Sequence, residues 1–206
     1  MPLAFDHLVV VTDDLAEGTA WVEDRLGLPL EVGGRHPHMG TWNRLLSLGP
    51  GAYLEVIAID PGAAPPPVPR WYGLDVPVGT PRLGYWVARS TDLDASLAAA
   101  PRGLGQPMSL SRGDLTWRMA LPEDGRLPFD GAAPALIEWT GGAHPSDALP
   151  DSGARLARLE VRHPEADALV TGFAELITVG QVGILTDARP SLAATLVTPR
   201  GRVRLD

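Results

Sequence analysis

The chain has 206 residues, 45% of them apolar, 20% charged and 6% aromatic, which is globular composition with enough chain for a sizeable core in one domain or two small ones packed together. Seventeen basic and 25 acidic residues leave a net charge of −8. This charge repels phosphate backbones and anionic surfaces, and with no basic patch to offset it neither nucleic acid nor a membrane is an expected partner. Cys and Lys are both absent, every basic side chain being Arg. That excludes Cys-ligated zinc, iron–sulfur clusters, a thiol nucleophile, a Schiff-base amine and a phosphate-loop lysine.

Phe5 to Thr12 is an eight-residue apolar, β-branched run and predicts a strand. Asp14 with Glu17 forms a capping-box pattern, Leu15 to Leu26 keeps helical apolar spacing, and Gly27 stands where a C′ glycine ends a helix. A short Leu28 to Val32 segment, a Gly- and His-rich turn over residues 33–38, a strand near Thr41 to Leu48 and a strand over Ala52 to Ile59 complete a β-α-β-β-β unit over residues 1–60. Residues 61–81 hold seven of the 21 prolines and read as a linker, since neither helix nor central strand tolerates that density.

The pattern then repeats over residues 82–141, with a strand at Leu83 to Arg89, a helix from Asp92 to about Ala100, and strands at Gln106 to Ser111, Leu115 to Leu121 and Ala135 to Thr140. Asp14-Leu15 aligns with Asp92-Leu93, and Tyr53-Leu54-Glu55 with Leu136-Ile137-Glu138. A weaker third copy spans residues 154–206, with a strand at Arg155 to His163, a helical pattern from Pro164 to Leu176 and three short strands. Its last strand carries no Glu and is expected to be structural. Repeats of this length imply that single units cannot bury their apolar faces alone.

Strand parity sets His7 on one face with Phe5, Val9 and Val11, and Glu55 on one face with Tyr53 and Ile57. The same rule gives Tyr85 and Glu138 the corresponding places in the second unit, and sends Trp86, Ile137 and Trp139 under the helices. Carboxylates in the middle of Y-L-E-V-I-A and L-I-E-W are costly to bury unpaired. With no Lys, their partner is an Arg (Arg35, Arg44 or Arg118), a protonated His or a metal. Each candidate has a plainer reading too: His7 as a hydrogen-bonded strand histidine, His36 and His38 as exposed turn residues, Arg118 as a surface residue, and His144 and His163 as structural.

Six motifs together resemble the glyoxalase-like domain branch of the vicinal oxygen chelate superfamily: F-D-H-L-V-V (5–10), G-G-R-H-P (33–37), G-T-W-N-R-L (40–45), Y-L-E-V-I-A (53–58), L-T-W-R-M-A (115–120) with L-I-E-W (136–139), and H-P (144–145). The resemblance implies an α+β fold in which two tandem βαβββ units form an incompletely closed, barrel-like sheet of eight strands around a cleft, with the third βαβββ-like unit appended. It implies a small-molecule enzyme with metal-assisted lyase, isomerase or dioxygenase chemistry in that cleft; the alternative is a metal-free binding or sequestering protein like the bleomycin-resistance members.

The implied metal ligands are His7, Glu55 and Glu138, with Tyr85 standing where a His or Gln is usual and His36 able to complete the set for one divalent Fe, Mn, Zn or Ni ion. Glu55 and Glu138 are the catalytic candidates, and Asn43, Tyr85, Trp42, Trp117 and Arg118 the substrate-binding ones. The expected partner is a small-molecule ligand or substrate, with a homodimer as a further candidate. No apolar stretch approaches a membrane span and the first residues lack a charged region followed by an apolar one, so the expected location is cytoplasmic.

Overall fold

A computed structural model describes residues 3–174 and 180–206. The first unit runs β1 (Ala4–Val11), α1 (Leu15–Leu26), β2 (Glu31–His36), β3 (Thr41–Ser47) and β4 (Tyr53–Ile59). The second runs β5 (Arg82–Arg89), α2 (Leu93–Ala99), β6 (Gln106–Arg112), β7 (Leu115–Leu121) and β8 (Ala135–Trp139). After a one-turn helix α3 (Pro145–Ala148) come β9 (Arg155–His163), α4 (Ala166–Gly172), β10 (Val182–Thr186), β11 (Ser191–Thr198) and β12 (Gly201–Leu205). The expected helix end at Leu176 lies outside the described residues.

Both unit helices start as their sequences require. The Asp14 carboxylate accepts from the Glu17 N–H and the Asp92 carboxylate from the Ala95 N–H, each cap contributing about 1 kcal/mol. Gly27 closes α1 at φ 65°, a left-handed conformation that costs a glycine nothing. Leu15, Val22 and Leu26 bury their stripe against β3 and β4.

Eight strands form one sheet in the order β2-β3-β4-β1-β5-β8-β7-β6. Each unit pairs its first strand in parallel with its last, β1 with β4 and β5 with β8, and the units join where β1 runs antiparallel to β5. The edge strands β2 and β6 approach one another, so the sheet curls into a half-barrel. Residues 33–36 of the expected Gly- and His-rich turn belong instead to β2, because pairing with β3 outweighs the weak strand propensity of glycine, while Pro37 and His38 lie in the turn that follows.

The repeat is not exact. His7 pairs with Tyr53 in the first unit, and the sequence offsets would set Tyr85 opposite Leu136; instead Leu136 pairs with Ala88. A slide of three residues is odd, and an odd slide exchanges the two faces of a strand. Ile137 and Trp139 therefore line the concave side, contrary to the expectation that they pack under the helices, and Glu138 points to the N-terminus of α2, where one of its carboxylate oxygens lies 3.4 Å from the Leu93 N–H.

The third unit keeps the β-α-β-β-β order but pairs differently, β10-β9-β11-β12 with β9 parallel to β10. Its β11 lies against β5 and its β12 against α1, so it covers the outside of the half-barrel and contributes no strand to the eight-stranded sheet. No described helix is long and apolar enough to cross a membrane.

A buried acid–base cluster in the half-barrel

The concave side holds a polar cluster at the first strand. A β-bulge between Phe5 and His7 breaks the register against β5, so neighbouring side chains that would normally diverge can meet. Asp6 Oδ1 lies 2.7 Å from His7 Nδ1. The Asp6 carboxylate has no exposed surface, and its other oxygen, Oδ2, accepts from Arg89 Nη1 at 3.0 Å, Trp139 Nε1 at 3.1 Å and His144 Nε2 at 3.2 Å. Burial pushes this carboxyl up, but hydrogen bonds from His144 and His7, together with their charges, outweigh it and hold the group well below the usual carboxylate range. Asp6 is thus ionised, and its contact with His7 fixes the imidazole proton on Nδ1.

His7 Nε2 is left facing Glu55 Oε2 at 3.7 Å. Tyr53 stacks on the His7 ring with centroids 4.3 Å apart. Glu55 Oε1 accepts from Asn43 Nδ2 at 2.5 Å, and Asn43 Oδ1 accepts from the Gly34 N–H at 2.8 Å and from Arg112 Nη1 at 3.1 Å. Arg112, on β6, also lies 3.1 Å from His36 Nε2, so its guanidinium bridges the gap between the two edge strands. His36 Nδ1 lies 3.1 Å from Thr41 Oγ1. Burial above all, then the charges of Arg112 and His7, pushes the His36 imidazole down to about 3, so His36 is neutral, accepting at Nε2 and donating at Nδ1.

The two glycines of G-G-R-H make this possible. A Cβ on Gly33 would fall 2.0 Å from Asn43 Oδ1, and one on Gly34 would fall 2.9 Å from Arg112 Cδ. Trp71 and Tyr72, from a 3-10 turn in the proline-rich segment, lie over the cluster, with Trp117, Met119, Ile137 and Trp139 on the opposite wall. The narrow space between these walls has about 30 Å³ of free volume, which is room for about one water molecule. The Tyr53 and Tyr72 phenols are pushed well up by burial and by the charges of Asp6 and Glu55, so both remain protonated.

Of the residues singled out from sequence, His7, His36, Asn43, Glu55 and Trp117 meet here. Glu138 does not: it pairs with Arg118 at 3.2 Å on the helix side, where Arg118 also binds Asp94. Trp42 lies on the α1 side of β3 with Arg44, and Arg35 pairs with Asp60, so none of the three expected arginines meets the cluster and Arg112 and Arg89 take their place. Tyr85 lies further along the concave face, stacked on Tyr72 at 5.1 Å. Asp6, Arg89, Arg112, Trp71, Tyr72 and His144 are additions. Asp6 and His144 stand in the F-D-H-L-V-V and H-P motifs, where the sequence reading gives them no role in the site, Trp71-Tyr72 is an aromatic pair in the proline-rich segment, and Arg89 and Arg112 carry no sequence signal.

The metal centre implied by the resemblance does not fit these donors. Only His7 Nε2 and Glu55 Oε2 are unengaged toward one point, His36 Nε2 is taken by a guanidinium, and Glu138 is on the other face. Among the described residues no group of three or more His, Asp or Glu side chains is arranged to hold a metal ion.

Paired βαβββ units curled around a buried polar cleft define a protein of the vicinal oxygen chelate superfamily. The chain belongs to the Glyoxalase-like domain family, matched over residues 5–177. Among solved structures it is similar to a hypothetical protein from Staphylococcus aureus, 14% identical with a TM-score of 0.56, over 99% of this chain and 85% of that one. It also matches methylmalonyl-CoA epimerase from Mycobacterium tuberculosis, 17% identical with a TM-score of 0.43 over 66% of this chain and 85% of that one. A xylose isomerase-like TIM barrel/4-hydroxyphenylpyruvate dioxygenase fusion protein is 17% identical, TM-score 0.47, over 98% of this chain and 31% of that one. No curated protein matches the chain.

Proposed function

We propose that the cleft is the active site of a small-molecule enzyme of the lyase or isomerase type that removes a proton from a carbon next to a carbonyl. The observation that carries this reading is the buried series Asp6, His7, Glu55: an ionised carboxylate fixes the imidazole tautomer, and the free imidazole nitrogen faces a second carboxylate at 3.7 Å. In the reaction the C–H bond breaks, its proton passes to Glu55 Oε2 or His7 Nε2, and the electron pair moves to the carbonyl oxygen. Arg112, beside Asn43 and Glu55, supplies the positive charge that stabilises the oxyanion. Return of the proton to a neighbouring atom completes an isomerisation, and departure of a β-substituent completes an elimination. Trp71 and Tyr72 exclude water from the cleft and must move for a substrate to enter.

The aromatic lining of Tyr53, Tyr72, Trp117 and Trp139 favours a second reading, a binding protein that holds an organic cation without chemistry. One experiment separates the two. A panel of 2-oxo acids and 2-hydroxy ketones is incubated with the protein in D₂O, and loss of the α-proton is followed by ¹H NMR. Exchange by the wild type that disappears in Glu55→Gln and in His7→Ala is the expected result. Exchange that survives both substitutions, or a panel that binds without exchange, refutes the proposal.

A further inference from the structure

A buried donor without an acceptor is destabilising and rare, and where one persists it points to a task. Among the described residues four buried side-chain polar atoms lack a hydrogen-bond partner, one each on Trp42, Arg70, Trp71 and His163, and of these residues only Trp71 lines the cleft. The indoles of Trp86 and Trp139 are satisfied, the first donating to the Ala132 carbonyl at 2.9 Å and the second to Asp6 at 3.1 Å. Trp71 is 4% exposed and stands nearly perpendicular to His36, with ring centroids 5.1 Å apart. It shares the lining with His7, Glu55 and Arg112.

The backbone around Trp71 is pinned on both sides. Arg70 binds Asp75 through its backbone N–H and its guanidinium, which ties residues 70–75 into a closed turn. Inside it Tyr72 and Gly73 follow one another at φ 59° and 62°, a left-handed pair that reverses the chain directly after Trp71. For tyrosine this conformation is costly. The Gly73 N–H donates to the Gly125 carbonyl at 2.9 Å, and Tyr72 stacks on Tyr85. A turn fixed at these points holds the indole in the cleft wall although its N–H goes unpaired there. Strain and unpaired donor thus fall on neighbouring residues of the segment that covers His7 and Glu55.

We propose that the Trp71 indole N–H is the donor for the substrate's carbonyl oxygen, so that the segment which closes the cleft also completes the oxyanion site that Arg112 begins. This rests on the active-site reading above. When the C–H bond breaks, its proton goes to Glu55 or His7 and the electron pair to that oxygen, where the indole bond strengthens without giving up its own proton. An indole N–H donates and never accepts, so the site selects an oxygen acceptor at this point and rejects an ammonium or a hydrocarbon group.

The test follows the Trp71 indole resonance of the full ¹⁵N-labelled chain, identified by its loss in Trp71→Phe, during titration with pyruvate, hydroxyacetone and isopropylamine. A carbonyl compound should move the indole proton downfield, and isopropylamine should leave it in place. Trp71→Phe keeps an aromatic ring in the wall and removes the donor; its kcat for proton exchange should fall about 100-fold with KM little changed. A resonance that neither carbonyl compound moves, one that isopropylamine moves equally, or a Trp71→Phe variant that exchanges within about threefold of the wild-type rate overturns the assignment. A shifted resonance in a wild type that exchanges no proton sinks the active-site reading alone, and exchange that Trp71→Phe retains sinks the Trp71 assignment alone.

Discussion

Asp6→Asn is the most informative single change, because it is nearly isosteric and removes one charge from the centre of the cluster. The wild-type carboxylate takes four donors, one on Oδ1 and three on Oδ2, with no exposed surface. An amide has one oxygen. If that oxygen stays with Arg89, Trp139 and His144, the amide NH₂ meets His7 Nδ1 and forces it to accept, which moves the imidazole proton to Nε2 and turns a proton acceptor near Glu55 into a donor. Taking the charge off fully buried Asp6 weakens its bonds to half-buried Arg89, to Trp139 and to His144 and costs about 3–5 kcal/mol. At roughly 2–4 °C per kcal/mol for a chain of this size, melting should fall by about 10 °C. Calorimetry reads the first effect, and ¹⁵N chemical shifts of the His7 ring read the second. A variant that melts within about 2 °C of the wild type and keeps the proton on Nδ1 would refute the reasoning.

Three further outcomes follow from the same geometry. Gly33→Ala places a methyl 2.0 Å from Asn43 Oδ1, so Asn43 must leave Glu55 and Arg112; the loss of these charge-assisted bonds should cost about 3 kcal/mol in a denaturant titration and abolish proton exchange. An unfolded histidine takes up a proton near pH 6.5, whereas buried His36 does so only at about 3. The unfolded state therefore binds one more proton in this window, and stability should fall by about 1.4 kcal/mol per pH unit on acidification; urea midpoints should lose that part of their pH dependence in His36→Gln. Below the ordinary Asp pKa the depressed Asp6 carboxyl adds to the loss. Tyr72→Gly relieves a left-handed tyrosine but removes a buried aromatic, for a net destabilisation of about 2–4 kcal/mol, and should speed exchange with bulky substrates if Tyr72 closes the cleft.

The paired βαβββ units and nearly every strand were legible because each carries local evidence: alternation, a cap, a stop. So were Glu55 and Asn43, which lie on strands whose pairing runs unbroken, and His7, which keeps its register against β4 although β1 bulges against β5. Glu138 was misplaced because parity is relative. Its own strand alternates as expected, but which face turns inward depends on the pairing of β8 with β5, a long-range choice that no local pattern records. Asp6 was passed over for a related reason, since the bulge that turns it toward His7 is a property of two strands together. Arg112 sits at the end of a hairpin with no periodic context, and only the curl of the sheet brings it to His36.

The odd slide of β8 also has a stereochemical consequence. It places the acid–base groups of the cleft on the β1–β4 wall and gives the facing wall to Trp117, Met119, Ile137 and Trp139. A planar enolate held between these walls is open to proton delivery from one side by His7 or Glu55, while the opposite side meets hydrocarbon and indole. Apart from Tyr53 on the first wall, the only hydroxyl among the described lining residues is that of Tyr72, from the segment that closes the cleft. On the proposed chemistry, an enzyme built this way would exchange a proton with retention of configuration, and inversion at the same carbon would have to recruit the Tyr72 phenol as its second acid.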